Sequence, residues 1–347
     1  MRSRAAADFS GRPPRRWCVG SGLPEAGRRT IAPAIQTQPP DVSCRFVTLH
    51  ISVTTPTWAV HTGDRLLTQR GAVWHEENKL IVLRAMDGLL ALSFWGTAHV
   101  GRVPTDQWIV EAIVDRGVYP DMGIRFGPNP GITDVGAVMR RIRDRLSQLP
   151  ARWRGPGSGV AATGFQWRRK GRKMLPRPVI WSIWGRPGGG GFEVASLLPR
   201  YFHLSLTPAY GVIDQPHGWL RPEDSQTLSE ALVLSEFEPE AIERAAVRAI
   251  QAVADRPGSI VGANCMGIRI GPGEEFLVVN GRFWQRPGDP PAGFSPWVIG
   301  PDTIVPPSKL LGTWTVRTGR VLVTLEAPPG TDLLAGWARD PRRPAPR

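Results

Sequence analysis

The chain has 347 residues, 41% of them hydrophobic, enough for one sizeable core or two modest ones. No run approaches the roughly 18 uninterrupted apolar residues of a membrane helix, and the arginine-bearing N-terminus lacks the apolar stretch of a secretory signal. Three cysteines (Cys18, Cys44, Cys265) form neither a disulfide framework nor a metal-ligand spacing, so the composition argues against a membrane or disulfide-stapled secreted protein and a cytoplasmic location is expected.

The net charge is +13 and the isoelectric point about 10.9. Residues 1–46 hold eight Arg against Asp8, Glu25 and Asp41, and residues 151–178 hold eight Arg and Lys with no acid. The remainder of the chain balances. The basicity therefore sits in two segments containing Gly and Pro, for which weak, non-specific contact with nucleic acid is the expected consequence.

Residues 1–47, with Pro13-Pro14 and Pro39-Pro40 and no apolar periodicity, read as a disordered leader. Val47 stands directly before Thr48. Initiation at a valine (GTG) codon, followed by methionine removal, would make Thr48 the first residue of the mature protein. Leu49 to Val53 and Thr57 to Val60 flank Thr54-Thr55-Pro56, a pattern expected of an antiparallel hairpin. Gly63-Asp64-Arg65 forms a polar elbow. Two further strands are expected over Lys79 to Ala85 and Gly88 to Phe94, running up to Gly96. Thr105-Asp106 then starts a helix over about 105–116, with Trp108, Ile109, Ala112 and Ile113 at helical spacing.

After a loop from Pro120 to Gly131, Asp134 caps a second expected helix whose stripe is Val135, Val138, Ile142, Leu146 and Leu149. Residues 150–178 read as a basic insertion in which Trp153 and Trp167 are interleaved with arginines. Such mixing suits base stacking on single-stranded nucleic acid; the plainer reading is a surface loop with a short strand near Thr163 to Trp167. Strands resume at Pro178 to Trp184 and Phe192 to Leu198. The glycine run between them lacks a Gly-Lys-Ser/Thr ending and a following helix, so it reads as a hairpin loop. Tyr201 to Thr207 is another strand candidate, and the nearby His203, Asp214 and His217 lack metal-ligand spacing.

Phe237 to Ala254 is an amphipathic helix ending at Asp255-Arg256-Pro257-Gly258-Ser259. Gly262 to Ile270 and Glu275 to Asn280 read as closing strands. Residues 281–347 read as a proline-rich extension with one hairpin, Gly312 to Val316 and Arg320 to Leu325, and a disordered tail.

The order Thr48, hairpin, Asp64-Arg65, Asn78-Lys79, then Phe94-Trp95-Gly96 before a helix resembles the start of a proteasome β subunit, a member of the N-terminal-nucleophile (Ntn) hydrolases. Asp64 lies 16 residues and Lys79 31 residues beyond Thr48, close to the family's spacing. The likeness covers about 48–116 well and 237–280 loosely. It implies an α+β fold, a four-layer αββα sandwich of two stacked antiparallel sheets with helices on both outer faces, over 48–280. It implies Thr48 as nucleophile, Lys79 and Asp64 as its supporting charge pair and Gly96 as oxyanion donor. Asp255 and Ser259 stand where the family places an Asp and a Ser that polarise the N-terminal amine. A peptide or amide substrate and assembly into a homo-oligomer follow, with no cofactor and no metal.

The chemistry needs these residue types. A threonine hydroxyl is a weak nucleophile at neutral pH and requires a base. An N-terminal threonine supplies its own α-amine, with pKa near 8, usually through a water. A lysine at the hydroxyl stabilises the developing alkoxide, and an aspartate keeps that lysine paired. Two other functions fit the same residues: a member of the fold that binds partners without catalysis, and a nucleic-acid-binding protein using 151–178.

Overall fold

A computed structural model describes residues 48–69, 72–76, 79–96, 98–150, 154, 157–170, 173–186, 190–197, 211–215, 220–234, 236, 238–272, 277–286, 295–308 and 313–326. The N-terminal leader, Trp153, the strand expected at Tyr201 to Thr207, His203, His217 and the C-terminal tail lie outside them. The first half of the chain forms β1 (His50–Thr54), β2 (Ala59–Asp64), β3 (Leu66–Gln69), β4 (Ala72–Glu76), β5 (Leu80–Ala85), β6 (Gly88–Trp95), β7 (His99–Val100), β8 (Val103–Pro104), α1 (Thr105–Val114), β9 (Arg125–Phe126) and α2 (Val135–Ser147). The second half forms β10 (Gly159–Lys170), β11 (Lys173–Gly185), β12 (Phe192–Leu197), β13 (Gly211–Gln215), α3 (Pro222–Leu234), α4 (Pro239–Ala254), β14 (Cys265–Pro272), β15 (Leu277–Trp284), β16 (Trp297–Gly300), β17 (Thr303–Val305), β18 (Trp314–Thr318) and β19 (Val321–Glu326).

The fold is mixed α+β, built on two large sheets. One has seven strands in the order β13-β1-β2-β14-β15-β19-β18, the other eight in the order β12-β11-β10-β6-β5-β16-β17-β9. Their side-chain alternation sorts the core into three clusters. Leu80, Val82, Leu89, Ala91 and Phe165 of the eight-stranded sheet pack with Met266, Ile268, Val279, Val323 and Leu325 of the seven-stranded one. Ile81, Leu83, Leu90 and Leu92 point the other way and pack with Ile109 and Ile113 of α1 and Val138 and Ile142 of α2. Leu49, Ile51, Val53 and Val60 pack with Ile242, Ala246, Ile250 and Val253 of α4. The expected 3.6-residue stripes of α2 and α4 are thus the faces that each lays on a sheet. Asp134 caps α2, accepting from Ala137 N at 2.8 Å, a contact typically worth about 0.5–2 kcal/mol.

Three expectations need correction. The sheets are not purely antiparallel, because β15 runs parallel to β19 and β16 parallel to β5. Both parallel pairs come from the C-terminal region, whose connections are long enough to cross over before pairing. That region is therefore no appended extension: β16 and β17 complete one sheet, β18 and β19 the other, and Trp297 is fully buried. The hairpin expected there is present, turning at Thr318 to Arg320.

In the basic insertion at 150–178 the strand expected near Thr163 to Trp167 is present but longer, Gly159–Lys170, and the surface-loop reading of the rest is corrected. The insertion supplies β10 and the first part of β11, and β10 is hydrogen-bonded between β6 and β11, with Val160↔Phe94 and Phe165↔Leu89 in register. Trp167 packs against the core between the sheets. Its charges obscured this: they cluster at the end of the hairpin beyond Gln166, where β6 no longer pairs. Helix α3 had no signal in the apolar pattern. Only Leu228 of its described side chains is buried, against the α4 cluster.

Candidate active site

Asp64 ends β2 where that strand pairs with β1 and β14, with Asp64 opposite Cys265. The Asp64 backbone N–H donates to Leu49 O at 3.1 Å, and the Leu49 N–H returns a 2.8 Å bond to Asp64 Oδ1. This reciprocal pair pins the residue that follows Thr48. The other carboxylate oxygen accepts from Leu66 N at 3.2 Å and Gly262 N at 3.1 Å. Burial pushes the Asp64 carboxyl above its usual range, while Lys79 and the three backbone N–H groups pull it down. Those donors all require acceptors, so the geometry is that of an ionised carboxylate.

Lys79 precedes β5 and is 2% exposed, beside Thr48 at 6% and Asp64 at 1%. Its Nζ donates to Thr48 Oγ1 at 2.6 Å and Asp64 Oδ2 at 3.4 Å, and also to the Leu66 carbonyl. Three acceptors of different origin fit the three protons of an ammonium. The cluster joins both sheets, since Thr48 lies just before β1, Asp64 ends β2 and Lys79 lies just before β5.

Gly96 follows β6. The register Leu80↔Ser93 places it at the same end of the sheet as Lys79. Its φ of +102° and its packing both demand glycine: a Cβ there would stand 2.6 Å from Ser158 Cβ and 2.8 Å from Gly157 O.

Asp255 does not join the cluster. It is the C-cap of α4, and its carboxylate, 60% exposed, is paired with Arg286. Ser259 accepts from Val261 N at 3.2 Å within a turn. The loop after α4 reaches the Thr48–Asp64–Lys79 cluster through the Gly262 N–H on Asp64 Oδ2.

Sequence reasoning missed a buried polar set behind the site. Ser52 Oγ lies 2.7 Å from His61 Nδ1, and Ser93 Oγ 2.6 Å from His61 Nε2. The His50 ring stacks on His61 with centroids 5.7 Å apart and donates through Nε2 to Phe94 O at 2.8 Å. All four side chains are buried. Burial holds the His50 imidazole well below its ordinary range, with His61 and Lys79 adding to the effect, and lowers His61 to about 3. Both rings are neutral. The available signal was the polar alternation His50-x-Ser52-x-Thr54, which in a hairpin ordinarily marks a solvent face. Among the described residues no cluster of three or more His, Cys, Asp or Glu could hold a metal ion, and no helix is long and apolar enough to cross a membrane.

No family model matches the chain, and no curated protein does. A solved structure with partial similarity is that of an Anbu (Gly-1) mutant from Hyphomicrobium sp. strain MC1. The two are 11% identical over 65% of this chain and 82% of that one, with a TM-score of 0.41.

Proposed function

We propose that the chain, when it begins at Thr48, is a threonine-type N-terminal-nucleophile amidohydrolase that cleaves peptides. Its two sheets and their helices would then form the four-layer αββα sandwich of that class. The observation that carries the reading is the 2.6 Å contact between Lys79 Nζ and Thr48 Oγ1, with the same nitrogen on Asp64. Burying an ammonium costs several kcal/mol before its partners offset it, and one of the partners that Lys79 meets here is the Thr48 hydroxyl.

The Thr48 hydroxyl gives its proton to the α-amine through a water, and Oγ1 attacks the substrate carbonyl. Lys79 stabilises the developing alkoxide. The Gly96 N–H donates to the oxyanion of the tetrahedral intermediate, which collapses to the Oγ1 ester as the C–N bond breaks and the leaving amine takes the proton back from the α-ammonium. Water then hydrolyses the acyl-enzyme by the reverse transfer. The reaction draws on no cofactor.

An internal Thr48 has an amide where this base belongs, and an amide nitrogen accepts no proton. The protein made to start at Thr48 is therefore expected to hydrolyse peptides, and the 347-residue form and Thr48→Ala are not. Intact mass and N-terminal sequencing of native material should give Thr48 as the first residue. A native chain retaining residues 1–46, or turnover by Thr48→Ala, would put the non-catalytic binding protein first.

Gly96→Ala should lower stability by about 1–3 kcal/mol, the usual scale for a side chain forced into positive φ. Displacement of its N–H should cost about 10²–10³-fold in turnover. Urea unfolding and peptide hydrolysis measure the two effects, and an alanine variant with unchanged turnover would remove Gly96 as the donor.

A further inference from the structure

The space between the sheets behind Thr48 is filled differently from the rest of the inter-sheet core. Along β14, β15 and β19 the inward face is apolar, whereas β1 and β2 turn His50, Ser52, Thr54, Ala59, His61 and Gly63 inward. The register His50↔Gly63, Ser52↔His61, Thr54↔Ala59 puts these six on one face of the hairpin. Opposite them stands β6, through Ser93 and the Phe94 carbonyl. Polar groups cost free energy to bury unless they are bonded, and here their bonds run from one sheet to the other.

One of these bonds brackets the candidate site. His50 is two residues after Thr48, and its Nε2–H reaches the carbonyl of Phe94, two residues before Gly96, at 2.8 Å. The strand bearing the nucleophile and the turn bearing the oxyanion donor belong to different sheets, and this bond ties them. The segment is also held from its other side: Ser158 and Gly157 pack against Gly96, and Gly159 lies against the Trp95 ring so closely that a Cβ there would stand 2.2 Å from it. The ring of His50 is itself fixed on both sides. It stacks on His61, whose two nitrogens are bonded by Ser52 and Ser93. On its other edge a Cβ at Gly63 would stand 2.4 Å from His50 Nδ1. That nitrogen has no hydrogen-bond partner among the described residues. The ring therefore makes one directed bond, to Phe94 O.

We propose that His50 is a positioning residue, which sets the distance between Thr48 and the Gly96 N–H by pinning the Phe94–Gly96 segment to β1. The proposal rests on the hydrolase reading for its consequence in turnover, and on structure alone for the placement of Gly96. His50 is fully buried and touches no substrate; it acts through the Phe94 carbonyl.

The test uses the protein starting at Thr48 with His50→Leu, His50→Gln and Gly63→Ala. Peptide hydrolysis and amide hydrogen exchange at Trp95 and Gly96 are read on each. His50→Leu removes the bond and should lower kcat by about 10²-fold, the scale of a displacement near 1 Å, with KM within about twofold. Exchange at Trp95 and Gly96 should accelerate. His50→Gln keeps an N–H able to reach the carbonyl and should recover most of both. Gly63→Ala keeps the imidazole but pushes it, and should reproduce the leucine phenotype from the neighbouring strand; it also serves if the leucine variant fails to fold. Wild-type kcat and exchange in His50→Leu, or in Gly63→Ala, would overturn the proposal, as would glutamine and leucine variants that are equally impaired. If the parent protein shows no Thr48-dependent turnover, the hydrolase reading fails by itself, and unchanged exchange at Trp95 and Gly96 would then sink the positional claim separately.

Discussion

Lys79→Ala and Lys79→Arg are both expected to abolish peptide hydrolysis by the protein that starts at Thr48. Alanine removes the ammonium that the structure places 2.6 Å from Thr48 Oγ1. Loss of a group that acts on the nucleophile's proton or charge typically costs about 10²–10⁴-fold. Arginine retains a positive charge, but its planar fork cannot replace a compact ammonium that meets Thr48, Asp64 and the Leu66 carbonyl in three directions. Stability separates the two explanations of the loss. Removing one partner of a buried ion pair costs about 3–5 kcal/mol when the other is stranded. Asp64 retains the N–H groups of Leu49, Leu66 and Gly262, so the cost should fall toward the lower end. The variants should remain folded and inactive. Cooperative urea unfolding measured beside turnover checks this, and an arginine variant that still turns over would reduce Lys79 to a structural partner of Asp64.

Acid should unfold the protein steeply, and the buried histidines set the direction. Both have folded pKa values depressed by burial, His61 to about 3 from 6.5 and His50 well below 6.5. A depressed base takes its proton in the unfolded chain first. Stability is therefore full above about pH 6.5 and declines as pH falls toward 3, by on the order of 5 kcal/mol for His61 alone at about 1.4 kcal/mol per unit. Glu243 acts in the opposite sense. Burial raises it to about 7 from 4.5, against the opposing pull of the Trp284 hydrogen bond and the Arg269 and Arg282 charges, so it favours the folded state increasingly as pH falls from 7 to 4.5. Its contribution, about 3 kcal/mol, offsets part of the histidine term over that window and saturates below it.

The expected profile is shallow between pH 7 and 4.5 and steep beneath. Denaturant midpoints measured across pH 3 to 7 should show it. His61→Leu should be weaker at pH 7, since Ser52 and Ser93 lose their shared partner, yet flatter with pH by about 1.4 kcal/mol per unit. An unchanged slope would show that His61 takes up its proton in the folded protein.

Much of the fold was readable because periodicity depends only on local geometry. The helices α2, with its Asp134 cap, and α4 each lay an apolar stripe of 3.6-residue period on a sheet, and the hairpin around Pro56 and strands β5 and β6 are short apolar, β-branched runs buried on both faces and bounded by turn residues. The spacing of Thr48, Asp64 and Lys79 was equally visible, as residue types at fixed offsets beside β1, β2 and β5.

Charge misled where it was averaged over a segment. Residues 150–178 carry eight cations, yet Val160, Ala162 and Phe165 are buried in the heart of a sheet. Proline misled in the same way after residue 281, where the strands β16 to β19 lie between proline-containing loops.

The sequence by itself determined the local elements and the three residues that meet at Thr48, because each is specified by neighbours within a few tens of positions. Tertiary structure alone decided that Asp255 is paired away from Thr48 and which face of β1 meets another sheet. Asp255 and Asp64 are the same residue type, each beside a turn. One is exposed and paired with Arg286; the other is buried at the junction of β1, β2 and the loop after α4, where the N–H groups of Leu49, Leu66 and Gly262 converge. Likewise His50, Ser52 and His61 alternate as a solvent-facing edge would, and only the approach of β6 turns them into bonded interior groups. That approach depends on strands more than thirty residues away. Long-range pairing of this kind has no local period to announce it.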